Sequence, residues 1–190
     1  MARLLLILLC AMMFSFQAQA QRLIPGQKGV ELTGGVLLVK GERLFHADSY
    51  TASLSLTRYM KRTNYAFGIL SLENQNIPYK DFQVPMTDAL LEIGYMEPLI
   101  GDRGRNVISY IGLSAAGGYE WLNNDKKVLP DGAMLLDGSC FVYGGGVHLS
   151  VECFLTDNIV LVVRTQGRML FGTDVHHFRP ALTAGLRFNL

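Results

Sequence analysis

Three residues whose types could do chemistry stand at alternate positions late in the chain: His148, Ser150 and Glu152. Alternate residues of an extended chain share a face, so a base, a hydroxyl and a carboxylate line up together, the kit of a nucleophilic hydrolase acting on lipid. The spacing argues against it. Each pair is separated by about 7 Å along a strand, too far for the nucleophile–base hydrogen bond that this chemistry requires. An inward-facing hydrogen-bond network is the better reading of the triplet, and no catalytic residue is assigned.

Other candidates reduce similarly. Asp174, His176 and His177 crowd one loop, but adjacent side chains in an extended segment diverge and no second cluster with ligand spacing follows, so no metal site is assigned. Gly117-Gly118 and Gly144-Gly145-Gly146 precede no helix whose N-terminus could cradle a phosphate; glycines that let strands bend explain them better. The run Gly101-Asp102-Arg103-Gly104-Arg105 is a charged turn, and with a formal charge of only +1 and no basic stripe, direct nucleic-acid binding is not expected. No cofactor motif is present, and a small-molecule substrate is not expected.

The elements that position these residues are strands. Between Asp137 and Leu190 three runs alternate apolar and polar residues. Phe141, Tyr143, Val147, Leu149, Val151 and Cys153 oppose Cys140, Val142, His148, Ser150 and Glu152. Ile159, Leu161, Val163, Met169 and Phe171 oppose Arg164, Gln166 and Arg168. Phe178, Leu182, Ala184, Leu186, Phe188 and Leu190 oppose Arg179, Thr183, Arg187 and Asn189. Each apolar wall runs for roughly 35 Å, long for a soluble hairpin and suited to a tilted strand crossing a bilayer.

Five earlier strands are expected near residues 29–40, 49–60, 64–73, 87–97 and 107–122. The total of eight predicts an all-β, antiparallel, up-and-down barrel of the outer-membrane type, which takes an even number of strands. Short connections at Lys61–Asn64 and Thr156–Asn158 read as periplasmic turns. Asn74–Met86, with Pro78 and Pro85 breaking the ladder, and Asn123–Asp137 read as outer loops. Pro98–Asn106 is a misfit, longer than a turn should be. Tyr50, Tyr65, Tyr95, Tyr119, Trp121, Phe141, Tyr143, Phe171, Phe178 and Phe188 cluster toward strand ends, as aromatic girdles do.

The start of the chain sets its compartment. Arg3, an apolar stretch from Leu4 to Phe16 and Ala18-Gln19-Ala20 read as a cleaved signal peptide over residues 1–20, with Leu9 before Cys10 too bulky for lipoprotein processing. Residues 21–190 form one barrel domain located in the outer membrane and contacting its lipid. Cys140 and Cys153, about 40 Å apart if one strand joins them, are expected to be free thiols, since a disulfide needs Cα atoms within about 7 Å.

An eight-stranded barrel has room inside only for side chains. The polar faces carry Glu31, Asp88, Glu92, Glu152, Arg164, Arg168 and Arg187, which must pair because an unpaired buried charge costs several kcal/mol. A plugged lumen is expected, its polar network made of Glu31, Glu92, His148, Ser150, Glu152, Arg164, Arg168 and Arg187. The C-terminal Thr183-x-Gly185-x-x-Phe188-x-Leu190 resembles the signature read by the outer-membrane barrel assembly machinery, with Gly185, Phe188 and Leu190 as its marks and Leu190 departing from the usual aromatic.

The segment Gln21-Arg22-Leu23-Ile24-Pro25-Gly26-Gln27-Lys28-Gly29-Val30-Glu31 resembles the mature start of the TraO family of Bacteroides-type conjugative transposons, as do the runs 106–122 and 144–154. The resemblance spans essentially the whole chain. It implies a structural outer-membrane component of a mating-pair, type IV secretion-like DNA transfer apparatus, with other apparatus proteins as partners and no catalytic residues to carry over. The rival readings are a generic small barrel for adhesion or membrane integrity, an outer-membrane lipid hydrolase, and a soluble periplasmic barrel with an apolar interior.

Overall fold

The computed structural model describes residues 24–38, 49–60, 63–79, 82–123, 138–173 and 176–190. The expected signal peptide over residues 1–20 and most of the loop from Asn123 to Asp137 lie outside these. Eight strands, β1 (Lys28–Leu37), β2 (Ser49–Tyr59), β3 (Tyr65–Tyr79), β4 (Phe82–Gly101), β5 (Val107–Leu122), β6 (Cys140–Phe154), β7 (Ile159–Phe171) and β8 (Phe178–Asn189), pair in sequence order, and β8 returns to β1 to close the barrel. Every pairing is antiparallel. Among the described residues no helix is long and apolar enough to cross a membrane.

The registers set the tilt. Walking across the ladders from Lys28 through Arg58, Ala66, Tyr95, Leu113, Val147, Gly167 and Pro180 leads back to β1 at Leu38, whose amide donates to the Pro180 carbonyl. The stagger is ten residues around eight strands, which at ordinary strand spacings tilts each strand by about 40°.

Alternation then sorts side chains strictly. Leu32, Leu56, Leu72, Ile93, Leu113, Val147, Val163 and Phe188 are exposed on the outside. Charged and hydroxyl side chains are buried on the inside. On β4 the outer apolar band lies between Thr87 and Glu97, about 25 Å of height at this tilt, the height of the apolar band of outer-membrane barrels. The band ends at an Asn74–Thr87 side-chain hydrogen bond of 3.2 Å at the loop end, and at Lys28, Arg58 and Glu97 at the end holding both termini.

Three sequence expectations need correction. Asn74–Met86 is no loop: β3 and β4 stay paired to Tyr79 and Phe82. Among the described residues the flanking strands reach only to Ser49↔Gln75 and Met86↔Leu122, so Pro78 and Pro85 lie where no described strand pairs with the outer edge of this ribbon and a missing N–H costs no described ladder bond. The misfit at Pro98–Asn106 disappears likewise. β4 continues past Pro98 with a register shift before Ile100, because a bulge accommodates a proline. Only Asp102–Asn106 remains as a turn, held by Asp102 N–H to Val107 O at 3.0 Å and Gly104 N–H to Asp102 Oδ1 at 2.7 Å, with Arg105 left-handed at φ 56°. Third, Tyr65 does not join the outer girdle. It shares the inward parity of Phe67 and Ile69 and is fully buried.

The inner wall also departs from the expected polar surface. At the terminal end Tyr59, Tyr65, Phe67, Ile69, Met96, Ile108, Tyr110, Phe154, Val160 and Val162 pack into one apolar and aromatic cluster. A second cluster of Leu90, Ala116, Val142 and Leu170 lies toward the loop end, and a third of Val84, Met86 and Leu122, with Ile77 and Tyr79, backs the protruding ribbon. Cys140 and Cys153, at opposite ends of β6, form no disulfide among the described residues, and Cys140 Sγ lies 3.9 Å from Glu120 Oε1.

Candidate functional site

The lumen holds the chain's chemistry in three tiers. Each tier is built where inward positions of strands distant in sequence meet, across the closing seam in the first tier and across the axis in the other two. Near the terminal end, Arg187 of β8 reaches Glu31 of β1 at 2.7 Å and Glu152 of β6 at 2.7 and 2.8 Å. Its guanidinium also donates to the Tyr59 hydroxyl at 2.7 Å and the Tyr65 hydroxyl at 3.0 Å, and lies 4.5 Å from the Tyr65 ring centroid. Arg164 of β7 adds a second contact to Glu31 at 2.9 Å. Two guanidiniums therefore balance two carboxylates, and Tyr65 donates to Glu152 at 2.5 Å.

In the middle tier Arg168 pairs with Glu73 at 2.5 Å and approaches Glu92 at 3.5 Å. Ser114 donates to Glu92 at 2.8 Å and lies 2.8 Å from His148 Nε2, which itself sits 3.3 Å from Glu92. The His148 ring meets Phe67 edge-on at 5.2 Å. Toward the loop end Arg179 pairs with Asp88, and with Glu120 at 2.5 Å. Thr173 donates to Glu120 at 3.0 Å.

Among the described residues four buried arginines face six buried carboxylates, Glu31, Glu73, Asp88, Glu92, Glu120 and Glu152. The acidic surplus lies in the middle and upper tiers, each with one arginine between two carboxylates. His148 stands beside Glu92 in the first of these. Arg168 and Arg179 link β7 and β8 to β3, β4 and β5 on the far side of the barrel, while Arg164 and Arg187 tie β6, β7 and β8 to β1 around the closing seam.

The sequence-derived residues fare unevenly. Glu31, Glu92, Glu152, Arg164, Arg168 and Arg187 all turn inward and meet. His148 joins through Ser114 rather than Ser150. Ser150 is buried, but its hydroxyl has no partner among the described residues, so the His148–Ser150–Glu152 alignment makes no relay: His148 is bonded to Ser114 and Glu152 to Arg187 and Tyr65. Glu73, Glu120, Arg179, Ser114 and the two tyrosines were missing from the expected network. Parity alone could have found Glu120, since Tyr119 and Trp121 face outward. Glu73 lies within the expected third strand but shares the parity of Tyr65, which sequence alone places on the outer face. Asp174 lies outside the described residues; His177 Nδ1 lies 3.1 Å from the Leu170 carbonyl, and the His176 carbonyl accepts from Arg179 Nε at 3.0 Å. Of the C-terminal marks, Phe188 and Leu190 are exposed on the outer face. Gly185 sits at the closing seam, where a Cβ would lie 2.0 Å from the Leu32 carbonyl.

Comparison with known proteins decides the family. The family profile described as "Conjugative transposon protein TraO" matches residues 24–190. The chain belongs to the TraO family. No curated protein matches it. Among solved structures it is similar to Ail, the attachment invasion locus protein of Yersinia pestis, seen in complex with the heparin analogue sucrose octasulfate. That similarity has a TM-score of 0.56 and 8% identity over 88% of this chain and 100% of that one. It is similar also to Neisserial surface protein A, with a TM-score of 0.54 and 13% identity over 88% of this chain and 98% of that one. The N-terminal barrel domain of Pseudomonas aeruginosa OprF gives 0.50 and 12% over 90% and 100%. At these identities the likeness concerns the fold. This TraO-family protein is thus a closed eight-stranded barrel, greasy outside and salt-paired within.

Proposed function

We propose that this protein is a structural outer-membrane component of the conjugative transfer apparatus of a transposon, contributing to a mating-pair, type IV secretion-like assembly without conducting DNA through its own lumen. TraO-family membership supports the transfer role. The apolar outer band, about 25 Å tall, supports residence in a bilayer, reached after removal of a signal peptide. A soluble barrel of this size would not leave Leu32, Leu56, Ile93, Leu113 and Phe141 largely exposed.

The observation that carries the structural role is the filled interior: an apolar and aromatic cluster at one end, continuous with ion pairs through the middle. Duplex or single-stranded DNA has no path through it. Turns at Asp102–Asn106 and after Phe154 would face the periplasm, and the opposite rim would face other apparatus proteins. No catalytic step is assigned to the lumen: in the His–Ser contact among the described residues, His148 to the half-buried Ser114, the imidazole is fully buried.

Deleting the gene in a donor strain and scoring transconjugants tests the proposal. Transfer is expected to collapse and to return with the wild-type gene supplied in trans, with the protein recovered in the outer-membrane fraction. Undiminished transfer would remove the conjugative role. Replacing Ser150 with Ala is expected to leave both membrane lipid composition and transfer unchanged; an altered lipid profile would revive the hydrolase reading.

A further inference from the structure

This inference rests on the outer-membrane reading above. Lys28 of β1 and Arg58 of β2 are directly opposed in the ladder, and both are exposed on the outer face. Like charges directly opposite each other across a strand pair destabilise it. Neither side chain has an ion-pair or hydrogen-bond partner among the described residues.

Their height is specific. The next outward positions along the same two strands are Val30 and Leu56, inside the apolar band. The two cations therefore sit one step beyond the hydrocarbon edge, level with Glu97, whose carboxylate accepts from Asn64 Nδ2 at 3.4 Å. Every exposed Lys or Arg among the described residues lies at this end of the barrel: Lys28, Arg58, and Arg103 and Arg105 in the β4–β5 turn. The opposite edge is marked by Asn74, Thr87 and aromatic rings.

We propose that Lys28 and Arg58 form a clamp for the phosphate of an anionic phospholipid headgroup in the leaflet at the terminal end of the barrel. A phosphodiester between the two strands converts a repulsive pair into two charge-assisted contacts, the guanidinium offering its planar fork and the ammonium a point charge. Phospholipid is favoured over free phosphate because the acyl chains would lie along Val30, Leu32, Leu54 and Leu56 directly above.

Native mass spectrometry of the detergent-solubilised barrel, titrated with phosphatidylglycerol or phosphatidylcholine, reads the clamp. At about fivefold per surface cation near an anionic headgroup, the pair should favour phosphatidylglycerol by about 30-fold. K28Q/R58Q should lose this preference, while R103Q/R105Q, whose charges lie in the turn beyond the band, should keep it within about twofold. In vesicles, K28Q/R58Q should be less stable than wild type with phosphatidylglycerol and equal or more stable in pure phosphatidylcholine, a reversal that no merely structural role produces. Equal retention of both lipids by the wild type would overturn the clamp. Equal loss in both double variants would reduce it to diffuse attraction and overturn the site. Inorganic phosphate binding as tightly as the lipid would replace the lipid assignment. Insertion is followed separately by the gel-mobility difference between boiled and unboiled protein; failure of the wild type to insert would remove the barrel reading and the clamp with it.

Discussion

Arg187 is the most heavily bonded group in the lumen, and replacing it with Met tests the account of what holds the barrel together. Its guanidinium donates to two carboxylates and two phenols at 2.7 to 3.0 Å, and none of these groups reaches solvent. Met preserves much of the volume and removes the charge. Glu31 keeps Arg164 at 2.9 Å, whereas Glu152 keeps only the Tyr65 hydroxyl at 2.5 Å. One carboxylate is thus stranded without a cation. Breaking a buried pair in this way costs about 3–5 kcal/mol, enough to consume much of the stability of a domain held by about 5–15 kcal/mol. Urea titration of the barrel in vesicles, followed by tryptophan emission from Trp121, should show that loss in the unfolding midpoint. Adding Glu152→Gln to the Met variant should recover at least about 1 kcal/mol, because it removes the stranded charge. A single-variant loss below about 1 kcal/mol, or no recovery in the double variant, would refute the argument that ion pairing across the axis braces the strands.

Further outcomes follow from the packing. Gly144→Ala would place a Cβ 1.9 Å from the Met169 carbonyl, whereas at Gly34 the nearest atom is 3.9 Å away; the first should block folding into vesicles and the second should leave it within about 0.5 kcal/mol of wild type. Spin labels at Leu161 and Val163 should report oxygen-rich hydrocarbon, and a label that sees water-soluble quencher at either position would invert the barrel. Truncating the outward Phe188 and Leu190 should lower outer-membrane insertion in cells with little change in stability once folded, as measured by the inserted fraction; normal insertion would discard the assembly-signal assignment.

Period-two alternation made the strands, their parity and their number legible, and with them the closed barrel, because in a sheet a single residue of slip exchanges every side chain between its two faces. The outward run Leu161, Val163, Met169 and Phe171 against Arg164, Gln166 and Arg168 needed no tertiary information to be read. Strand ends were harder. Proline at 78, 85 and 98 reads locally as a breaker, yet whether it breaks a ladder depends on whether a neighbour strand reaches that height, a fact of shear and tilt rather than of local sequence.

The amino-acid sequence alone thus determined which side chains face inward wherever a strand has one polar face; on β3, apolar on both faces, it did not, and Tyr65, Phe67 and Ile69 turned inward. Which of them meet was decided only in three dimensions. Arg168 finds Glu73, 95 residues away, and Arg187 finds Glu31, 156 residues away, because a stagger of ten residues around eight strands sets which inward positions share a height. His148 bonds Ser114 on the neighbouring strand rather than Ser150 on its own: Ser114 stands diagonal to it, and the glycines opposite each, Gly112 and Gly146, leave the two side chains room to meet.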